Sequence, residues 1–449
     1  MCPMLEEYKR DLKGLFLFAL PLIAGQVGQM LFGTGDMMVA GRYSTTVVAA
    51  LGVANAMMGP FVMIGLSITY AVGSLTAKAR GEDKGSKSML ATSLGMSVII
   101  GTFLQLILQI LIMNLDLLKF DAERGELIAT YLQWCGWSIT PMLIFQSVKE
   151  YLQAHDDTFF ANGSILGFLI FNVGLNIVLM FGMFGIPELG IKGAAIATTI
   201  SRLLMAVALI FYAAKKMDIS WNFEAKAFKE MIVLGIPIGL GTFVEVMVFT
   251  IVTVLVGKMT TVASASHNIV LNLASLTFMV PLAMNSAAGV KVAYEFGKRS
   301  AKGVLTQTLA ALTISGSFML MTALIYFFAP TLLLKVFTDD KELITYASGL
   351  IIFVAMFQLP DGIQVTLWGV LRGLGKTKTP MLITLLGNWM IGLPLGYYLA
   401  FHRGMEAAGL WAGLAAGLSS IGVALSILFS THYKGLAAKF AEHQDPVNS

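Results

Sequence analysis

Three carboxylates lie within otherwise apolar stretches of this 449-residue chain: Asp36, Glu245 and Asp361. An ionised acid at the centre of a membrane-spanning helix costs roughly 2.5–3.5 kcal/mol on insertion scales. Leaving all three charged in lipid would cost roughly 8–10 kcal/mol. Each must therefore face protein or water, bind a cation, or carry a proton, since burial favours the neutral form of a carboxyl group. The plainer alternative is a structural acid hydrogen-bonded to neighbouring helices.

The surroundings of the acids suggest how each could work. Asp36 sits in Gly33-Thr-Gly-Asp-Met-Met-Val-Ala-Gly41, where Gly33 and Gly35 allow another backbone to come close. Gln29, seven residues earlier, shares roughly its helical face. Asn172 and Asn176, spaced i, i+4, point one way; they can hydrogen-bond an acid on a neighbouring helix, offer oxygens to Na+, or act as interhelical glue. Gln358, Asp361 and Gln364 make a polar stripe beside Pro360, a candidate path for a cation or substrate. Asn268 and Asn272 read as glue, and His267 as a satisfied histidine. Arg202 is the one base deep inside a span; it pairs with an acid such as Asp36 or faces a wet cavity. Met30 belongs to a methionine cluster with Met37, Met38, Met57, Met58 and Met63, which suits a cavity for varied ligands or ordinary packing. Pro21, Pro237 and Pro360 free backbone carbonyls and permit bends, or are simply tolerated.

The elements that position these residues are membrane helices. Apolar residues make up 57% of the chain and charged ones 12%, about half the charge of a soluble protein. Twelve stretches are long enough to span a bilayer: 14–40, 47–76, 89–113, 127–152, 161–184, 191–213, 231–257, 263–292, 305–329, 344–371, 380–401 and 407–430. Most of the 30 Lys and Arg residues, from Lys9 through Lys149 and Arg372 to Lys439, fall in loops on one side. The other side holds few, among them Arg42, Lys119, Lys335 and Arg403. The basic side is expected to be cytoplasmic, with both termini on it.

The halves repeat. At a shift of 216, Pro21 meets Pro237, Gly41 meets Gly257, Gly73 meets Gly289 and Asn172 meets Asn388; Pro141 meets Pro360 at 219. Six spans return the chain to its starting side, so the repeats are parallel, as in one class of secondary transporter. In that register Asp36 faces Val252 and Gln29 faces Glu245, so the halves place their acids differently. The expected organisation is an N-terminal lobe 1–214, a loop 215–230, a C-terminal lobe 231–430 and a tail 431–449. The two cysteines, Cys2 and Cys135, do not suggest a disulfide framework. No G-x-x-x-x-G-K-[ST] loop, nucleophile elbow, His cluster or T-V-G-Y-G filter occurs. An enzyme, ATP-driven transport and nucleic-acid binding are therefore not expected.

Several segments resemble multidrug and toxic compound extrusion (MATE) transporters, in particular the NorM-like branch. These are Pro21, Gly35-Asp36-Met-Met-Val-Ala-Gly41, Phe243-Val-Glu245, Ala265-Ser-His267-Asn, and Leu371-Arg-Gly-Leu-Gly-Lys-Thr-Lys-Thr-Pro380. The Asn172…Asn176 pair and Pro187-Glu-Leu-Gly190 fit too. The resemblance implies an all-α polytopic protein with two six-helix lobes around a central cleft. It implies export of amphiphilic organic cations in exchange for Na+ or H+ by alternating access, without other cofactors. It assigns Glu245 and Asp361 to a C-lobe cation site, and Asp36, Asn172 and Asn176 to an N-lobe site; Na+ could occupy either. This chain departs at Phe357, where NorM-like proteins often carry a tyrosine, and at Asn176, where some proton-coupled relatives carry an acid. Arg202 has no counterpart in the pattern. A monomer in the plasma (inner) membrane is expected, with Gln358, Gln364, Arg202, Met30 and Phe357 as candidate substrate contacts. The alternatives are a lipid-linked oligosaccharide flippase of the same architecture, which would use more cavity bases, and a non-transporting receptor or channel-like protein.

Overall fold

The computed structural model describes residues 3–118 and 120–442; Cys2, Lys119 and the last residues of the tail lie outside them. The described residues form helices and connecting turns without strands. In hydrocarbon a backbone must satisfy its own hydrogen bonds, and a helix does so within one segment. The helices are α1 (Pro3–Tyr43), α2 (Thr45–Gly81), α3 (Met89–Met113), α4 (Ala122–Gly136), α5 (Ile139–Ala154), α6 (Phe159–Phe181), α7 (Gly190–Lys216) and α8 (Ala225–Gly257). They continue with α9 (Thr261–Gly297), α10 (Ala301–Phe328), α11 (Pro330–Leu334), α12 (Lys341–Gly373), α13 (Lys378–Leu386), α14 (Leu393–Phe401) and α15 (Glu406–Glu442).

Eleven helical segments among the described residues are long and apolar enough to cross a membrane. The difference from twelve lies in the stretch 127–152, which is broken into α4 and α5 at Trp137 and Ser138. Pro141 is the third residue of α5, where the missing N–H has no intrahelical partner to lose. Ends elsewhere follow local chemistry. Asp340 accepts from the Glu342 and Leu343 amides at 2.8 and 3.3 Å to start α12, and Thr260 and Ser300 cap α9 and α10 in the same way. Gly182 ends α6 with φ of 70°, and a Cβ there would come within 2.7 Å of the Glu188 amide.

The chain divides into two compact units, Ala24–Gly239 and Met1–Ile23 with Leu240–Ser449. The boundaries fall inside α1 and α8, just past Pro21 and Pro237, at matching positions of the repeat. The loop 215–230, expected to separate the halves, packs within the first unit: the Glu224 amide donates to Thr92 Oγ1 and the Phe223 ring lies against Gly95. In the first unit α5 packs against α2, α3 and α7. In the second, α12 packs against α9, α10 and α15. Pro21, Pro237 and Pro360 all lie inside continuous helices. Two bases expected in loops are buried instead. Lys149 is enclosed in α5, and Arg372, in the last turn of α12, donates to Asn285 Oδ1 at 2.9 Å and to its carbonyl at 3.0 Å.

Candidate functional site

In the first unit α1, α6 and α7 enclose Asp36, which is 4% exposed. Asn176 Nδ2 donates to Asp36 Oδ1 at 2.7 Å, and the Thr198 hydroxyl donates to Oδ2 at 3.0 Å. The same Nδ2 reaches Asn172 Oδ1 at 3.2 Å, and Asn172 Nδ2 donates to Thr198 Oγ1 at 3.4 Å. The i, i+4 spacing thus aims both amides at one acid. Both carboxylate oxygens accept hydrogen bonds, whereas Asn176 Oδ1 is buried with no hydrogen-bond partner. It is a spare acceptor on the residue that holds the acid.

Arg202 lies one turn beyond Thr198 on α7. Its Nη1 donates to Ser138 Oγ at 2.6 Å, at the break between α4 and α5. It acts on Asp36 through its field, and no Arg202–Asp36 ion pair occurs among the described residues. The break that divides the fourth span therefore supplies the anchor of the one base in the sixth. Tyr131 is buried within electrostatic range of Asp36 and Arg202, and its hydroxyl donates to Asn55 Oδ1 at 3.3 Å.

In the second unit Gln364 Nε2, on α12, donates to Glu245 Oε1, on α8, at 2.8 Å. Asp361, 6% exposed, lies one turn before Gln364 and within electrostatic range of Glu245. Gln364 Oε1 is buried with no hydrogen-bond partner. This site therefore combines two acids with a spare amide oxygen. The first combines one acid with a spare amide oxygen and a guanidinium nearby. Both can take a proton or a cation; two carboxylates hold a cation more strongly than one acid already facing an arginine.

Other expected members stand apart. Gln29 Nε2 donates to Gln146 Oε1 at 3.5 Å, not to Asp36, because α5 lies beside that part of α1. Gln146 continues to Glu150 Oε1 at 3.0 Å, a buried acid that the sequence pattern left unmarked at the end of a span. Gln358 leaves the stripe and donates to Thr277 and Thr322, each at 3.0 Å. Phe357 stacks on Trp411 within the core, ring centroids 6.0 Å apart. Met30 is half-buried. Asn268 and Asn272 are exposed and donate to carbonyls of their own helix, so they do not join helices as expected. His267 Nε2 meets Thr253 Oγ1 at 2.9 Å. Thr198, Tyr131 and Ser138 were missed, since single hydroxyls in apolar spans carry no spacing signal of their own.

A protein-family model, MatE, matches residues 21–181 and again 237–398, so its two copies begin at the proline pair that set the repeat in register. The chain belongs to the MatE family. It is a multi-pass membrane transporter. It is 31% identical to the probable multidrug resistance protein NorM of Rhizobium meliloti (strain 1021), with 91% of each chain covered. It is 29% identical to the multidrug resistance protein MdtK of Proteus mirabilis (strain HI4320), covering 93% of this chain and 94% of that one. Among solved structures, a eukaryotic MATE transporter, AtDTX14, superposes with a TM-score of 0.86 at 22% identity, covering 97% of this chain and 99% of that one. The Vibrio cholerae MATE transporter VcmN in its bent form gives 0.85 at 20%, covering 96% and 98%. These two carry the fold, an all-helical architecture of two lobes.

Proposed function

We propose that this transporter is a secondary antiporter that exports amphiphilic organic cations in exchange for Na+ or H+ by alternating access. The observation that carries the reading is the pair of buried acid sites, each with an amide oxygen that lacks a partner. An ion entering from outside offsets part of the charge at Glu245 and Asp361, or at Asp36, and weakens the site's hold on a cationic drug. The ion can shift the conformational equilibrium only by its different affinity for the two states. An inward membrane potential adds ~2.3 kcal/mol per elementary charge per 100 mV. The named relatives, multidrug resistance proteins at about 30% identity over most of the chain, support drug export as the activity.

In this reading the chain acts as a monomer, without ATP, in the inner membrane with both termini cytoplasmic. The basic loops support that orientation. Arg202, the single base beside a site otherwise made of acids and amides, favours a cationic cargo over a pyrophosphate-linked lipid. The test is ethidium efflux from cells producing the chain, with Na+ and pH varied independently. Asp36→Asn should abolish resistance while the protein remains in the membrane. Unchanged ion-dependent efflux in that variant overturns the role given to Asp36.

A further inference from the structure

The helical segment Lys378–Phe401 contains a π-helical turn, Gly387–Gly392, between α13 and α14. A π turn carries one residue more than the regular ladder, about 100° of helical phase, and such turns mark places where a helix is held off its preferred winding. Asn388 within it is 0% exposed, and neither Oδ1 nor Nδ2 has a hydrogen-bond partner. In the repeat Asn388 stands where Asn172 stands in the first unit. The groups that satisfy that network, Asp36, Asn176 and Thr198, are replaced by Val252, Gly392 and Leu414. A polar side chain is thus kept where its partners are gone.

The next residue connects this turn to the acid site. Trp389 Nε1 donates to the carbonyl of Val244 at 3.2 Å, and Val244 immediately precedes Glu245 on α8. A second path runs through α12. Gln364 holds Glu245, and Trp368, one turn later, donates from Nε1 to Thr384 Oγ1 at 3.0 Å, one turn before Asn388. The Trp368 ring also lies over Gly241, one turn before Glu245, so close that a Cβ there would come within 2.9 Å of it. The Trp389 indole within the π turn, and the Trp368 indole packed on Gly241, therefore tie the backbone around Glu245 to the π turn and to the helical turn before it, and every link lies within the second unit.

We propose that Trp389 is a positioning residue for Glu245, and that it transmits the binding and release of the coupling ion at that acid to the π turn of α13–α14. The unpartnered Asn388 side chain and the extra residue make that turn the part of the segment able to rewind at least cost. The inference rests on the reading that Glu245 binds the coupling ion.

The experiment uses the full chain in proteoliposomes, with dye efflux titrated against Na+ at fixed pH and against pH at fixed Na+. Trp389→Phe keeps an aromatic ring and removes the N–H. The half-activating ion concentration should rise about five-fold, as for loss of one hydrogen bond, with dye KM unchanged. A purely structural role would lower the maximal rate and leave ion demand alone; that result, or a half-activating concentration within two-fold of the parent, overturns the proposal. The second readout needs no substitution at Trp389 other than to assign its signal. With 5-fluorotryptophan incorporated, the Trp389 fluorine resonance should shift on adding the ion, and stay fixed in Glu245→Gln. If the resonance ignores the ion while Glu245→Gln loses ion dependence, the transmission falls and the role of Glu245 stands. If Glu245→Gln keeps the parent's ion dependence, both fall.

Discussion

Replacing Asn176 by leucine tests whether the first site is held as the hydrogen bonds indicate. The substitution preserves volume approximately and removes two bonds from one nitrogen, at 2.7 Å to Asp36 and 3.2 Å to Asn172. A bond to a charged group contributes about 1.5–3 kcal/mol and a neutral one about 1 kcal/mol. Against this, the leucine removes an amide oxygen that has no partner, returning about 1 kcal/mol. The net loss is about 1.5–3 kcal/mol, which for a chain of this size lowers the melting temperature by roughly 2–3 °C. The assay is thermal unfolding of the purified protein in detergent. Asn176→Asp is the companion variant. A protonated carboxyl at position 176 can donate to Asp36 where the amide did, whereas two ionised carboxylates repel, so stability should recover more at low pH than at high pH. A leucine variant as stable as the parent, with an aspartate variant insensitive to pH, would refute the claim that Asn176 holds Asp36.

Gln358→Leu should lower the melting temperature, because Thr277 and Thr322 lose a shared donor, yet leave the ion dependence of dye efflux unchanged; an altered ion requirement would return Gln358 to the acid site. His155, at the end of α5 outside the spans, contacts the Tyr151 carbonyl at 2.9 Å and Ser86 Oγ at 3.1 Å, and burial pushes its pKa below the usual histidine value. The unfolded chain therefore binds its proton more readily, so the stability it contributes is present above about pH 6.5 and is lost as pH falls through its lower folded value. His155→Gln should flatten that acid-side loss in melting temperature, and an unchanged pH profile would count against it.

The spans, the repeat and the three acids were legible because each rests on strong signals: runs of apolar residues, constant offsets and costly charges. The Asn172–Asn176 pair was legible as a directed pair because helical spacing fixes direction. Its target Asp36 was only one of several options until α1 and α6 were seen together. Gln29 shows the limit. Sharing a helical face with Asp36 does not make it a partner when two turns along the axis separate them and α5 supplies Gln146 nearer by. The break at Trp137 and Ser138 was hidden because both sides are apolar enough to read as one span. With it went the anchor of Arg202, whose two candidate roles could not be separated by pattern alone. The division inside α1 and α8 was hidden for a similar reason, since a charged loop is the usual place for a boundary and a long helix is not.

The repeat also clarifies why the halves are not equivalent. The first unit keeps one acid under the field of Arg202, whereas the second sets Glu245 and Asp361 together and keeps Asn388 without partners. In the proposed antiport a cation or proton would relieve the repulsion between Glu245 and Asp361, and that would make them the stronger ion-binding centre.

The central claim is tested most directly in proteoliposomes without ATP, by imposing an inward Na+ or H+ gradient and following movement of a cationic dye against its own gradient. The parent chain should export dye uphill under at least one of the two gradients, and Asp361→Asn should lose uphill export and bind the cationic dye less tightly than the parent. Uphill export that persists unchanged in Asp361→Asn, or export indifferent to both ion gradients in the parent, would contradict the account.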